Sequence, residues 1–178
     1  MFGTSPVEVM AMNAMIQGWV YCYGFTYSAL MFGANALGAS GTQTVATQIT
    51  SDSDFVIQRI NLVSFTALDT PEVNPDFTMQ LTIAGTAINL MDAPQHVNNI
   101  CGNFFDNRVP NDLPFPILIA ANQNLTVQTI NRSAVAQNFT QYSYVGFKVK
   151  YLTMTVFDVD GRPTGRVPTT REAVFHVL

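Results

Sequence analysis

The histidines and cysteines of this 178-residue chain are its most obvious candidates for catalysis. His96 and Cys101 lie five residues apart, which would allow a Cys–His nucleophilic pair on one loop, whereas Cys22 and His176 are distant in sequence. A serine hydrolase would need a nucleophile turn of the form Gly-x-Ser-x-Gly, and the sequence contains none. We therefore predict no catalytic residues and no enzymatic activity.

Metal ligation is equally poorly supported. Asp52-Ser53-Asp54 and Asp158-Val159-Asp160-Gly161 each begin like a calcium loop, but neither is followed by the distal glutamate that completes one. One cysteine near one histidine does not supply the four ligands of a zinc site. Aspartate and glycine are also common turn residues, which explains both motifs more simply. We predict no metal site and no cofactor.

A different pattern occupies residues 18–27, which read GWVYCYGFTY. Aromatic residues stand at every second position: Trp19, Tyr21, Tyr23, Phe25 and Tyr27. Alternation predicts a β-strand with all five rings on one face. That face could fill the core of a sandwich or contact another subunit, and both interpretations stay open. Tyrosine and tryptophan are enriched at protein interfaces, which favours subunit contact.

The residues before this strand predict an apolar helix. Ser5 and Glu8 form a capping box around Pro6, and the helix would run to about Gln17. It is apolar nearly all round, so it should be buried against another surface. Together, helix and strand form a predicted N-terminal arm. The predicted interface residues are Met10, Met12, Met15, Ile16, Trp19, Tyr21, Tyr23, Phe25 and Tyr27.

A transmembrane helix is the competing interpretation of this region. Residues 15–34 are long enough to span a bilayer, and no charged residue occurs between Val9 and Ser51. The stretch contains Gln17 and three glycines, however, and it lacks flanking basic residues. We favour the strand and predict no membrane partner.

Beyond residue 42 the sequence predicts short strands separated by turns. The alternation is most regular over Phe77–Ile83, and it changes phase near Gln58 and Arg59, which indicates a bulge. Residues 33–41 are predicted as a small-residue linker and 92–112 as a long polar loop.

This pattern predicts an all-β fold, a jelly-roll-like β-sandwich, with a closed β-barrel as the alternative. The predicted regions are an arm over 1–41, the sandwich over 42–151 and a C-terminal extension with a hairpin over 152–178.

The composition favours a surface that is covered by other protein. Charged residues make up 11% of the chain, against about 25% in ordinary soluble domains, and fourteen Asn and ten Gln outnumber them. Amides can be buried in an interface at less cost than charges. No basic stripe is present, so we predict no nucleic-acid partner. The N-terminus resembles no secretory signal, which predicts synthesis in the cytoplasm.

Three runs carry a resemblance to a known class of proteins: QITSDSDFVIQRI, NDLPFPILIAANQNLTVQTINRS and YSYVGFKVKY. Over Gln48–Tyr151 this layout resembles small structural proteins of tailed bacteriophage virions, such as capsid decoration or cement proteins and neck or tail components. The resemblance implies a non-enzymatic virion protein, made in the host cytoplasm, whose partners are copies of itself and a major capsid protein. A receptor- or carbohydrate-binding module of the neck or tail is the alternative.

Overall fold

A computed structural model describes residues 20–84, 88–103, 112–151, 153–157 and 163–168. These ranges contain twelve strands and one 3-10 turn. In chain order the elements are β1 Val20–Leu37, β2 Thr42–Gln48, β3 Asp54–Thr66, β4 Phe77–Ala84, β5 Ile88–Asn89, β6 Gln95–His96, the 3-10 turn Val97–Asn99, β7 Cys101–Asn103, β8 Asp112–Ile119, β9 Asn124–Asn131, β10 Gln137–Tyr151, β11 Thr153–Phe157 and β12 Pro163–Pro168. The predicted helix over Pro6–Gln17 lies outside the described residues.

The long strands form two sheets that pack face to face. Sheet A has the order β1-β10-β3, and both β8 and β7 pair with the far side of β3. Sheet B has the order β2-β9-β4, and β5 and β6 pair with β4. We count β5 and β6 as one position, count β7 and β8 as another, and number the eight resulting positions in chain order. Sheet A then has the order 1-8-3-6 and sheet B the order 2-7-4-5, which is the order of a jelly roll. The predicted sandwich is confirmed. The alternative of a closed barrel is wrong, because the sheets remain separate.

The core between the sheets is built from alternate residues of the paired strands. Tyr142 and Tyr144 of β10 are fully buried there, together with Phe55 of β3 and Phe77 and Leu81 of β4. Burying such a side chain stabilises the fold by about 1.5–3 kcal/mol. The regular alternation of β4 that the sequence displays is therefore the alternation between core and outer face.

The predicted bulge lies at Gln58. Gly146 of β10 pairs with Ile57 and Val145 pairs with Arg59, so Gln58 is an extra residue of β3 between these two pairs and the phase of β3 changes there. The strands approach closely at this point: a Cβ on Gly146 would lie 1.8 Å from the carbonyl oxygen of Val56. The bulge is confined to β3, so β10 keeps its alternation from Tyr142 onward.

Three sequence-based expectations about the chain path are corrected. Strand β1 does not end at Gly33 but continues to Leu37, which is fully buried. Gly33, with φ of 60°, accommodates the irregular register in this part of the strand. The described part of the predicted arm is thus an edge strand of sheet A. The polar loop predicted over 92–112 contains strands β6 and β7.

The last two strands, β11 and β12, agree with the prediction from the sequence. β11 and β12 pair with each other as an antiparallel hairpin, so the predicted hairpin is confirmed. Residues 20–34 form a strand, so a transmembrane helix in this region is wrong. Within the described ranges, no helix is long and apolar enough to cross a membrane.

Candidate functional site

The aromatic run of β1 lies on one face of the strand, with its first described ring exposed, Tyr23 half-buried and its last ring buried. Tyr21 is 54% exposed, Phe25 is 37% exposed and Tyr27 is 9% exposed. Successive ring centroids are 5.7, 6.5 and 4.8 Å apart from Tyr21 to Tyr27, and Tyr27 contacts Phe55 of the core at 4.8 Å. Tyr27, predicted as an interface residue, therefore belongs to the core, whereas the start of the run is surface.

Sheet B does not extend as far as the start of β1, which explains the difference in burial between Tyr21 and Tyr27. The end of β2 and the residues that follow it contact the middle of β1. Thr47 Oγ1 donates to the carbonyl oxygen of Ser28 at 3.2 Å, and the backbone N–H of Thr50 donates to the hydroxyl oxygen of Tyr27. Residues 20–26 of β1 lie beyond these contacts and pair with 145–151 of β10. Their inward face is therefore not covered by β2.

Lys148 of β10 lies beneath these rings. It is directly opposite Tyr23 in the sheet and only 4% exposed. Its ammonium nitrogen lies 4.3 Å from the centroid of the Phe25 ring and 5.5 Å from that of Tyr27. It donates hydrogen bonds to Thr50 Oγ1 at 2.7 Å and to Asp52 Oδ1 at 3.2 Å. A cation is thus held between aromatic faces and a carboxylate, which offsets its removal from water.

Hydroxyl groups connect this lysine to the core. Thr50 donates its proton to Asp52, so the hydroxyl hydrogen bond between Thr50 and Tyr27, 2.8 Å long, must have Tyr27 as its donor. The Tyr27 oxygen in turn accepts the backbone N–H of Thr50 at 3.1 Å. Tyr23 donates to the other carboxylate oxygen of Asp52 at 3.4 Å. We call Tyr23, Phe25, Tyr27, Thr50, Asp52 and Lys148 the lysine cluster.

The electrostatics of the lysine cluster favour its charged state. The pKa of Asp52 is lowered to about 2, chiefly because Thr50 donates to its carboxylate and also because Lys148 is adjacent. Burial disfavours the charged Lys148, but its contacts with Tyr27 and Asp52 outweigh that effect and raise the pKa of Lys148. A lysine that stays protonated is a poor nucleophile or base, so this arrangement is suited to structural support.

The candidate Cys–His pair is not assembled. Cys101 is buried with its sulfur 3.4 Å from that of Met79, and burial raises the pKa of its thiol far above the ordinary range. His96 instead caps the 3-10 turn by accepting the backbone N–H of Asn98, and its other ring nitrogen lies 3.5 Å from Asp76.

The other candidate ligands are not gathered into a site either. In the part of the chain that the structure describes, no three His, Cys, Asp or Glu side chains are grouped to hold a metal ion. Asp54 of the first calcium-like motif accepts from the backbone of Ala121 and from Tyr151. Asp158, Asp160 and His176 lie outside the described residues, as do the predicted interface residues Met10, Met12, Met15, Ile16 and Trp19.

A second aromatic group lies on the outer face of sheet A, toward the other end of β1. Phe32, Phe139 and Phe65 stand side by side on β1, β10 and β3, with ring centroids 6.2 and 5.9 Å apart. They line an open hollow of about 300 Å³ together with Asp69 and Asn138. Asn138 Nδ2 donates to Asp69 Oδ1 at 2.9 Å. We call this the phenylalanine hollow.

Sequence reasoning identified the aromatic face of β1 but neither of the two clusters. Lys148 alternates in phase with Tyr142 and Tyr144, and that phase was the available signal that it faces inward. The phenylalanine hollow gave no sequence signal, because its rings come from three strands that are far apart in the chain.

Comparisons with known proteins add little. No protein-family model matches the sequence, and no curated protein is similar enough to count as a match. Among solved structures, dimeric latent PorU from Porphyromonas gingivalis aligns with a TM-score of 0.35 and 12% sequence identity, covering 82% of this chain and 15% of that chain. A similarity this weak supports no argument about fold or function.

Proposed function

We propose that this chain is a non-enzymatic structural protein of a tailed-phage particle, which decorates or cements the capsid through contacts with copies of itself and a major capsid protein. The assignment to a virion rests on the sequence resemblance over Gln48–Tyr151. The mode of action, assembly through protein–protein contacts, rests on the chemistry of β1.

The edge of β1 is the observation that carries the proposal. In the described part of the chain β1 forms strand pairs with β10 alone. Thr47 of β2 contacts the middle of the other edge of β1 at the carbonyl of Ser28, and residues 20–26 lie beyond that contact. Strand β1 contains neither a charged residue nor a proline. Exposed edge strands of monomers normally carry such residues, because an open edge recruits strands from other molecules. An edge without them is suited to being covered by a partner.

The neighbouring edge of the sandwich has the same character. β2 is the edge strand of sheet B, and its sequence TQTVATQ is also free of charge and proline. Since β1 leads directly into β2, both edges lie on the same side of the molecule. An interface of standard size covers about 800 Å² per partner, and a whole side of this sandwich is available for it.

The exposed start of the aromatic run supplies the anchor residues. Tyr21 and Phe25 present aromatic surface that sheet B leaves uncovered. Large aromatic side chains contribute most of the binding energy at protein interfaces when a partner excludes water from them. The lysine cluster beneath holds these rings in place, so that little conformational entropy is lost on binding.

The fold is compatible with the proposal without deciding it. Jelly rolls occur in viral capsid proteins and also in lectins, so the architecture alone is only an analogy. The low charge and high amide content of the sequence fit a surface that is buried in an assembly.

Light scattering of the purified full-length protein tests the assembly surface. We expect an oligomer, and we expect Tyr21→Lys or Thr26→Lys to shift it toward monomer. Both positions are exposed, so neither substitution should disturb the fold. A lysine at an edge strand disfavours pairing because its charge would be buried in the interface.

Ala93→Lys is the matched control, because it adds the same charge at an exposed position in the loop between β5 and β6. It should leave the mass unchanged. A monomeric wild-type protein that also fails to bind expanded capsids of its phage would contradict the proposal. An oligomer that survives both β1 substitutions would place the interface elsewhere.

A further inference from the structure

The phenylalanine hollow has the components of a cation site. Aromatic rings attract cations through their faces, and a carboxylate beside them adds a full negative charge. Phe32 is 56% exposed, although it is a large apolar side chain in the middle of a strand face. The planes of neighbouring rings are inclined by 64° and 73°. Inclined rings do not form the flat platform on which a sugar stacks.

The lysine cluster provides an internal precedent. There, rings of β1 and the carboxylate of Asp52 surround the ammonium group of Lys148. The hollow repeats the combination with Phe32, Phe139 and Asp69. In the described ranges, however, no lysine, arginine or histidine nitrogen lies within ion-pair distance of Asp69. The contact from Asn138 is neutral and leaves the negative charge in place.

Asp69 is the carboxylate that lines the hollow. It belongs to the segment 67–76, which connects β3 and β4, whereas Asp76 of the same segment lies beside His96. Asp69 is held at the rim of the hollow with φ of 55°, a conformation that aspartate tolerates better than most residues. The charge of this part of the surface is therefore complementary to a basic group.

We infer that the phenylalanine hollow binds a lysine or arginine side chain of a partner protein, whose cationic group lies against the rings and pairs with Asp69. The site is on the outer face of sheet A and does not include the open edge of β1. It is thus a second contact point, which can be tested independently of the assembly surface proposed above.

The test is an NMR titration of the full-length protein with ¹³C-labelled phenylalanine. The probes are the peptide acetyl-Gly-Arg-Gly-amide and its neutral isostere, in which citrulline replaces arginine. We expect the arginine peptide to shift the signals of Phe32 and Phe139, with a Kd of roughly millimolar order because one side chain makes few contacts. The citrulline peptide should bind about fivefold more weakly or worse.

Variants locate the site. Asp69→Asn should weaken binding of the arginine peptide about fivefold, and Phe32→Ala about threefold. Leu30→Ala is the matched control, since Leu30 is exposed on the same strand but does not line the hollow, and it should change nothing.

Three results would overturn the inference. The first is equal binding of the arginine and citrulline peptides, which would show that charge is not recognised. The second is binding of methyl glucoside, but not of the arginine peptide, at the same phenylalanine signals, which would indicate a carbohydrate surface. The third is the absence of any shift at tens of millimolar arginine peptide, which would show that the hollow is not a binding site.

Discussion

The two aromatic clusters of sheet A both combine aromatic rings with a carboxylate, but only the lysine cluster contains a cation. In the lysine cluster the rings enclose Lys148, which Thr50 and Asp52 hold in place. In the phenylalanine hollow, Phe32, Phe65 and Phe139 stand beside Asp69 around open space. The first cluster supplies its own cation, whereas the described residues of the second place a carboxylate beside aromatic rings without one.

Because of this difference, we expect the lysine cluster to contribute to stability and the phenylalanine hollow to contribute to binding. The buried Lys148 is compensated only within the folded chain, so removing a member of its cluster should destabilise the fold. Phe32, the most exposed ring of the hollow, is little buried on folding, so removing it should scarcely affect stability. The following predictions run from the largest expected effect to the smallest, and those on Lys148, Asp52 and Phe32 test this distinction.

Gly146→Ala should have the largest effect. Its Cβ would overlap the backbone of Val56 at the bulge, and backbone atoms in the middle of a sheet cannot move aside cheaply. We expect a loss of more than about 4 kcal/mol in the free energy of unfolding, measured by urea denaturation. Gly24→Ala is the control on the neighbouring strand, since a Cβ there meets nothing within 4 Å, and it should be nearly neutral.

Lys148→Met should lower the free energy of unfolding by about 2 kcal/mol, because the variant keeps the length of the side chain but loses the hydrogen bonds and the cation–aromatic contact. Thermal and urea unfolding both report this change. Lys150→Met, at an exposed position two residues away, should stay within about 0.5 kcal/mol of wild type. Equal effects of the two substitutions would show that the lysine cluster contributes nothing specific.

The lysine cluster should also introduce a pH dependence. The pKa of Asp52 is about 2 in the folded protein, below its usual value of about 3.9, so its stabilising contribution is complete above pH ~4. That contribution is lost as the pH falls toward 2, because the unfolded chain takes up the proton first. Unfolding curves should therefore show wild type and Asp52→Asn converging in stability between pH 4 and pH 2.

A matched substitution identifies the source of that dependence. Asp92→Asn alters an exposed carboxylate far from the lysine cluster and should keep the full pH dependence of wild type. If Asp52→Asn also kept it, the link between Asp52 and Lys148 would be refuted.

Phe32→Ala should have the smallest effect on stability, about 0.5 kcal/mol, since only its ring contact with Phe139 is lost. The same variant should weaken binding of the arginine peptide. A loss of several kcal/mol would show that the hollow is part of the folded core and would remove the contrast between the two clusters.

The sequence revealed the features that depend on local alternation. The sandwich, the placing of the β1 rings on a single face and the bulge at Gln58 all follow from a period of two and its interruption. The linker predicted over 33–41 is wrong for residues 33–37, which belong to β1, and residues 38–41 connect β1 to β2. In the structure, pairing of Leu37 with Gln137 and burial of Leu37 outweigh the weak strand preference of the glycines.

The two clusters could not be predicted because they depend on long-range register. Lys148 contacts Thr50, which is 98 residues away in sequence, only because β10 lies between β1 and β3. The hollow requires that Phe32, Phe139 and Phe65 come into line across the same three strands. A shift of one residue in either pairing would move these rings to the opposite face.

Hydrogen exchange of the full-length protein, followed by mass spectrometry at increasing protein concentration, tests the central claim most directly. If the start of β1 is an assembly surface, exchange in residues 20–26 should slow as concentration rises, because a second strand covers the open edge. Residues 139–143 of the interior strand β10 should be protected at every concentration. Exchange in residues 20–26 that stays equally fast while the protein forms oligomers would contradict the claim.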